Sequence, residues 1–115
     1  MHELGVVFQV IRIVEETAAE NHLEHIETVT LELGEVSTVL EEYLLSCWKW
    51  AVAKQPPLLQ HARLVVEKIP AVTWCDSCKR TYETVLYGKQ CPYCKSTDTW
   101  LLAGNEFRVK EIEGC

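Results

Sequence analysis

The chain has 115 residues, of which 48% are apolar and 24% are charged, proportions that are ordinary for a globular protein and too apolar for a disordered one. Its 17 acidic and 11 basic residues give a net charge of −6. This charge argues against a nucleic-acid partner, because proteins that bind nucleic acid carry basic faces that neutralise its phosphates. No apolar run approaches the roughly 20 residues of a membrane span, and the first residues lack the pattern of a signal peptide. We therefore expect a cytoplasmic protein that does not bind membranes.

The first half of the chain predicts two helices and a strand. Residues 4–19 repeat apolar side chains at helical spacing and leave a narrow polar strip, so we expect this helix to be covered on two sides. Residues 26–33 alternate apolar and polar side chains, a pattern typical of a half-buried strand. Thr38 and Glu41 have the spacing of a capping box, which predicts the start of a second helix. The residues assigned to inner faces are Leu4, Phe8, Ile11, Val14 and Ala18 in the first helix and Leu40, Leu44, Cys47, Trp48 and Ala51 in the second.

The second half predicts two further strands around a cysteine-rich segment. Residues 62–69 and 105–112 have strand patterns, and the spacer between the cysteine pairs suits a short hairpin. Three strands and two helices can build one two-layer core. We therefore predict an α+β fold, with two helices on a three-stranded mixed sheet and an inserted four-cysteine, zinc-ribbon-like module. The corresponding domains are residues 1–70 plus 104–115, and residues 71–103.

Four of the six cysteines have the spacing of a metal site, Cys75-x2-Cys78-x12-Cys91-x2-Cys94. Each pair can place two sulfurs on one ion from a tight turn, and two pairs complete the tetrahedral S4 shell of a structural zinc site. Two disulfides are disfavoured in a reducing cytosol, and a thioredoxin-like motif would need a single pair at the start of a helix. Iron in the same shell is the remaining alternative.

The other cysteines and three of the histidines receive no functional assignment. Cys47 falls in a helical pattern and is interpreted as a small core residue, whereas Cys115 is interpreted as an exposed free thiol. His22 and His25 have a spacing that a ligand pair could use, but loop histidines are more often solvated. His61 opens a strand without a distinctive pattern.

His2 is the second feature with metal chemistry. An imidazole at position 2 lies beside the α-amine and nearby backbone amides, and all of these nitrogens can reach one ion. Ni²⁺ and Cu²⁺ favour a planar set of nitrogen donors. From the residues alone, the alternative stays open that His2 is a solvated terminal residue and that Glu3 merely suits a helix N-terminus.

Several short motifs occur together in one order along the chain. They are Met1-His2-Glu3, Gly34-Glu35-Val36-Ser37, Cys75-Asp76-Ser77-Cys78, Cys91-Pro92-Tyr93-Cys94 and Gly104-Asn105-Glu106. Through these motifs and their order, the chain resembles the HypA/HybF family of hydrogenase maturation proteins, which are small nickel metallochaperones. The resemblance covers essentially the whole chain. The zinc motif alone occurs in many unrelated modules, whereas its combination with a terminal Met-His-Glu is fairly specific.

The resemblance implies a nickel site at the N-terminus. His2 would supply its imidazole and backbone amide, Glu3 its backbone amide and a contact that holds the terminus, and Met1 its amine. The zinc ligands of the family correspond to Cys75, Cys78, Cys91 and Cys94. The family delivers Ni²⁺ to the large subunit of [NiFe] hydrogenase together with a HypB-type GTPase, and some members also serve urease. These proteins are the implied partners. The apolar first helix is compatible with a homodimer as well as with ordinary core packing.

Two positions depart from the usual family pattern. Gly5 stands where a small hydroxyl residue is common, and Gln55-Pro56-Pro57 replaces a more usual Gly-Thr stretch. The first departure is expected to loosen the start of the first helix, since glycine costs about 1 kcal/mol there relative to alanine. The second puts in doubt any contacts made by the loop before the second strand.

Two other classes of function compete with a nickel carrier. A zinc-ribbon adaptor that binds another protein would have an inert N-terminus and no specific nickel site. A metalloenzyme would need an open metal site with a general acid or base, and the sequence contains no HExxH, phosphate-binding loop or G-x-S-x-G motif. We therefore expect a protein without catalytic residues, which carries Ni²⁺ as cargo and zinc as a structural ion.

Overall fold

The computed structural model describes residues 2–55 and 57–115. Two long helices, α1 (His2–Glu20) and α2 (Glu41–Val52), accompany three strands, β1 (Ile26–Gly34), β2 (Arg63–Ile69) and β6 (Phe107–Gly114). Between β2 and β6 the chain forms β3 (Val72–Cys75), β4 (Arg80–Glu83), the short helix α3 (Thr84–Tyr87) and β5 (Thr99–Ala103). The predicted fold class is confirmed, with α3 as an additional helix. Within the described part of the chain, no helix is long and apolar enough to cross a membrane.

The larger sheet has the order β2-β1-β6 and is mixed. The N–H of Ile26 donates to Leu58 O, just before β2, and the N–H of Glu35 donates to Ile69 O at its end, so β1 and β2 run parallel. The N–H of Cys115 donates to His25 O, so β6 runs antiparallel to β1. Parallel neighbours need a crossover connection, and α2 supplies it between β1 and β2.

The smaller sheet is antiparallel and has the order β4-β3-β5. The predicted hairpin within the cysteine spacer is wrong: the spacer forms β4 followed by α3. The hairpin instead joins β3 to β4 and has Cys75 paired with Arg80 at its end. Of the first cysteine pair, Cys75 therefore ends β3 and Cys78 lies in the turn of this hairpin.

The chain divides into two compact units. Unit 1 contains residues 1–32, 38–67 and 108–115, and unit 2 contains residues 33–37 and 68–107. Unit 1 carries twelve acidic and six basic side chains, whereas unit 2 carries five of each. The entire net charge of −6 therefore belongs to unit 1.

One face of α1 forms much of the core of unit 1. Its buried residues are Val7, Val10, Ile11, Val14 and Ala18, and α1 contacts α2. Phe8 and Ile13 lie outside this stripe and are 44% and 40% exposed. The inner position predicted for Phe8 is therefore wrong, as is the expectation that α1 is covered on two sides.

Strand β1 is more deeply buried than an alternating pattern predicts. Val29, Leu31 and Leu33 are fully buried, as expected, but Thr28 and Thr30 on the other face are buried as well. β1 is the central strand of its sheet, so a neighbouring strand flanks these threonines on each side. The prediction of a half-buried strand is therefore wrong.

Helix α2 begins at Glu41, and its N-cap residue is Leu40. The predicted capping box is wrong, because Thr38 lies two residues before the N-cap. Leu44, Trp48 and Ala51 are buried as predicted, and the Trp48 indole N–H donates to Ala62 O over 3.0 Å. Leu40 and Cys47 were also predicted to face inward, but Leu40 is 51% exposed and Cys47 is half-buried.

Candidate metal centre

The four sulfur atoms of Cys75, Cys78, Cys91 and Cys94 lie within 4.8 Å of one another. Cys75 ends β3, and Cys78 lies in the turn before β4, while the second pair lies in the loop between α3 and β5. Cys75 and Cys91 are fully buried, Cys78 is half-buried and Cys94 is exposed. Tyr82, Cys75 and Cys91 form a small buried cluster, and Cys78 packs against it.

Each cysteine pair is shaped by the same backbone turn. The N–H of Lys79 donates to Cys75 O, and the N–H of Lys95 donates to Cys91 O, both over 2.9 Å. Lys79 and Lys95 both adopt left-handed conformations, with φ of 60° and 66°. This reversal after the second cysteine of each pair turns both sulfurs toward one point. The two pairs therefore reach the cluster through turns of the same kind.

The environment of the thiols alters their acidity. Burial raises the pKa of Cys78 to about 12, with further increases from hydrogen bonds to the neighbouring sulfurs. Burial also raises the pKa of Cys91, but backbone N–H groups of Cys94 and Tyr93 outweigh it and bring that pKa to about 7. For Cys94, the N–H of Ser96 lowers the pKa, whereas burial and the sulfurs of Cys75 and Cys91 raise it, with a net increase. A cation at the centre would favour the thiolate at every position.

Four convergent sulfurs match the ligand set of a closed structural zinc site. A complete S4 shell leaves no position for water or substrate, so the arrangement suits a resident ion rather than a catalytic one. Within residues 2–55 and 57–115, these cysteines form the one group of three or more potential metal ligands. His22 and His61 are exposed and His25 is half-buried, and none of them joins such a group.

The residues predicted for a nickel site lie at the start of α1. His2 is the first residue of the helix, whereas Met1 lies outside the described residues. Glu3 is buried, and its Oε2 accepts a hydrogen bond of 3.3 Å from the N–H of Leu40. The carboxylate of Glu3 is therefore engaged with the start of α2, and its backbone N–H lies in the first turn of α1.

The two departures from the family pattern have different outcomes. Gly5 does not prevent helix formation, since α1 begins at His2, and a side chain at position 5 would meet open space. Of the Gln55-Pro56-Pro57 stretch, Pro56 lies outside the described residues. The N–H of Gln55 donates to Val52 O over 3.1 Å, which extends the end of α2 by a turn.

Two carboxylates have structural roles that the sequence analysis did not identify. Glu35 Oε1 accepts the N–H of Ala71 over 2.9 Å, and Glu106 Oε1 accepts the N–H of Gly104 over 2.8 Å. Both residues belong to the motifs Gly34-Glu35-Val36-Ser37 and Gly104-Asn105-Glu106. These motifs also meet directly, because the N–H of Gly34 donates to Glu106 O and the N–H of Val36 donates to Gly104 O. The sequence signal for both carboxylates is that Glu35 and Glu106 each lie in one of these motifs.

Comparisons with known proteins agree with these features. A family model described as "Hydrogenase/urease nickel incorporation, metallochaperone, hypA" matches residues 1–114. The chain is 35% identical over 113 residues to hydrogenase maturation factor HypA 1 of Bradyrhizobium diazoefficiens, covering 98% of both chains. It is 32% identical over 114 residues to hydrogenase maturation factor HybF of Klebsiella pneumoniae, covering 99% of both.

Solved structures resemble the fold along its whole length. The solution structure of the Ni metallochaperone HypA from Helicobacter pylori matches with a TM-score of 0.71 and 25% identity, covering 97% of this chain and 96% of that one. A second solution structure of a HypA protein matches with a TM-score of 0.75 and 25% identity, covering 100% and 97%.

Proposed function

The chain belongs to the HypA family of nickel metallochaperones for hydrogenase maturation, and on that premise we propose that it binds Ni(II) at its N-terminus and delivers it to the large subunit of [NiFe] hydrogenase. In this proposal Ni(II) is the cargo, and zinc held by Cys75, Cys78, Cys91 and Cys94 is a resident structural ion. The nickel-binding domain is residues 1–70 plus 104–115, and the zinc-binding domain is residues 71–103. The protein acts in the cytoplasm and is not an enzyme.

The observation that carries the proposal is the hydrogen bond between Glu3 and Leu40. It anchors the first turn of α1 through the side chain of Glu3 and does not use the backbone N–H of that residue. The first N–H groups of a helix have no carbonyl acceptor within the helix. The amides of His2 and Glu3 can therefore lose their protons to a metal without breaking the helix, which is the requirement for planar Ni(II) coordination by amide nitrogen.

The remaining ligands would come from the same three residues. The imidazole of His2 and the amine of Met1 complete a set of four nitrogens around one ion. A site with one side-chain ligand at the end of a chain is open to ligand exchange. Such an arrangement suits a protein that must give its ion away, in contrast to the closed S4 shell in unit 2.

The expected partners follow from the family. They are a HypB-type GTPase, the hydrogenase large subunit and, in members that also serve urease, the urease maturation proteins. A homodimer is compatible with the half-exposed apolar residues Phe8 and Ile13 of α1. The delivery step is tested by mixing the nickel-loaded protein with the nickel-free large subunit and following the transfer of nickel by size exclusion and metal analysis.

The nickel site is tested by calorimetric titration of Ni²⁺ into untagged, zinc-loaded protein. We expect one binding site in the natural protein and its loss in His2→Ala, with the zinc content unchanged. His22→Asn is the matched control, because His22 is exposed and its left-handed backbone, with φ of 57°, is one that asparagine tolerates. Equal nickel binding in His2→Ala and the natural protein would contradict the proposal, and the absence of binding in both would favour a zinc-ribbon adaptor.

A further inference from the structure

The four cysteine residues of the cluster differ in their exposure to solvent. Cys75 and Cys91 are completely buried, and Cys78 is half-buried, whereas Cys94 is exposed. Oxidation of a thiolate by a small oxidant depends on its access to solvent. Even when all four sulfurs share one ion, Cys94 is therefore the one that a dissolved oxidant reaches first.

The contacts among the sulfurs place a cysteine of the other pair beside Cys94. The sulfur of Cys94 lies 3.6 Å from that of Cys75, and the sulfur of Cys78 lies 3.6 Å from that of Cys91. Both contacts join one cysteine pair to the other. A disulfide bond is about 2.05 Å long, so either cross-pair bond requires an approach of only about 1.5 Å.

We propose that Cys94 is a peroxide-sensitive modification site and that its oxidation produces a Cys75–Cys94 disulfide with release of zinc. In the first step the thiolate of Cys94 attacks hydrogen peroxide, the O–O bond breaks, and a sulfenic acid and a hydroxide ion form. In the second step the thiolate of Cys75 attacks the sulfur of Cys94, the S–O bond breaks, and a second hydroxide leaves. The two sulfurs together lose two electrons and the peroxide gains them.

The consequence for the metal follows from the ligand count. After one disulfide has formed, only Cys78 and Cys91 remain as thiolates, and two ligands do not make a closed tetrahedral site. Zinc is then released, and a second peroxide can join Cys78 to Cys91. This inference rests on the zinc half of the proposed function and does not depend on the nickel site.

The experiment uses the full-length, zinc-loaded protein with Cys115→Ser, since the exposed thiol of Cys115 would otherwise link molecules together. Zinc content is measured first. Hydrogen peroxide is then added in graded amounts, zinc release is followed with a chromogenic chelator, and the first sulfenic acid is trapped with dimedone. Cleavage before Asp76 separates Cys75 from Cys78, and cleavage after Tyr93 separates Cys91 from Cys94, so mass spectrometry identifies each disulfide.

We expect dimedone first on Cys94, a Cys75–Cys94 disulfide, and one zinc ion released for each such disulfide. The inference would be overturned by disulfides within the pairs, by first modification of another cysteine of the cluster, or by zinc that stays bound after Cys94 is oxidised. Failure to bind zinc before peroxide is added would instead overturn the zinc half of the proposed function, so the two failures are distinguishable.

A pair of variants gives an independent measurement. Cys94→His keeps a ligand set of three cysteines and one histidine, which also holds structural zinc, and removes the thiol of the exposed residue. We expect zinc release by peroxide to become at least about tenfold slower in Cys94→His, and to change less in the matched variant Cys78→His. Equal rates in both variants would contradict the assignment to Cys94, and the disulfide mapping in the otherwise natural chain decides the question if either variant fails to fold.

Discussion

The carboxylate of Glu3 accepts a hydrogen bond from the backbone N–H of Leu40, across 37 positions of the sequence. Leu40 is the N-cap residue of α2 and has no polar side chain with which to cap the helix. Glu3 therefore supplies an acceptor and a negative charge where the positive end of the helix dipole lies. The first residues of the chain are held in place by the start of a helix that is distant in sequence.

Replacing Glu3 by alanine is expected to lower the free energy of unfolding by about 1 kcal/mol, the usual effect of losing a helix cap. Urea unfolding of the zinc-loaded protein measures it. Glu16→Ala removes an exposed carboxylate from the same helix and should change stability by less than about 0.5 kcal/mol. Equal effects of both substitutions would show that the contact with Leu40 does not contribute.

The glycines at positions 5 and 34 should respond in opposite directions to alanine. A methyl group at Gly5 meets open space within a helix, so Gly5→Ala should stabilise the protein by about 0.5–1 kcal/mol. A methyl group at Gly34 would collide with the carbonyl oxygen of Gly104, so Gly34→Ala should cost about 2–3 kcal/mol. Thermal unfolding of the two variants provides the comparison, and the same sign for both would refute the prediction.

Lys95→Gly should stabilise the zinc-loaded protein by about 0.5 kcal/mol. The left-handed conformation of Lys95 costs an ordinary residue about 1–2 kcal/mol, and glycine avoids this cost while adding chain entropy to the unfolded state. Lys89→Gly is the control, because Lys89 is exposed and is not left-handed, and this change should be destabilising. The midpoint of thermal unfolding with zinc bound measures both, and a lower midpoint for Lys95→Gly would contradict the prediction.

Zinc affinity should depend steeply on pH. The pKa of Cys78 is raised to about 12 and that of Cys94 is also raised, so both thiols hold their protons near neutral pH in the metal-free protein. Zinc binds thiolates and must displace at least these two protons. Its affinity should therefore rise by about 100-fold or more for each unit of pH near neutrality. Calorimetry in buffers of different ionisation enthalpy counts the released protons, and a value clearly below two per zinc ion would contradict the expectation.

Features that depend on short spacing were predicted correctly from the sequence. The order of the two long helices and of the three strands of the larger sheet follows from apolar periods that the chain repeats locally, and the cysteine cluster follows from two C-x2-C pairs. The capping of α2 could not be predicted, because the acceptor on Glu3 is separated from Leu40 by a strand and a loop. The local pattern of Thr38 with Glu41 predicts a capping box, whereas the N-cap residue is Leu40.

Burial was harder to predict than secondary structure. Thr28 and Thr30 are polar and alternate with apolar residues, yet both are buried, because the position of β1 between two other strands is a property of the whole sheet. Phe8 shows the opposite case, since its helical spacing suits an inner face but the buried stripe of α1 contains Val7 and Ile11 instead. Periodicity identifies faces, and tertiary packing decides which face is covered.

The uneven distribution of charge has a kinetic consequence. Since the full net charge of −6 belongs to unit 1, divalent cations are attracted toward the part of the chain that contains the proposed nickel ligands. Such a field raises the rate of encounter, and salt at physiological strength screens it within about 8 Å. Nickel uptake should therefore slow as ionic strength increases, whereas capture of zinc by the electrically balanced unit 2 should be much less sensitive to salt.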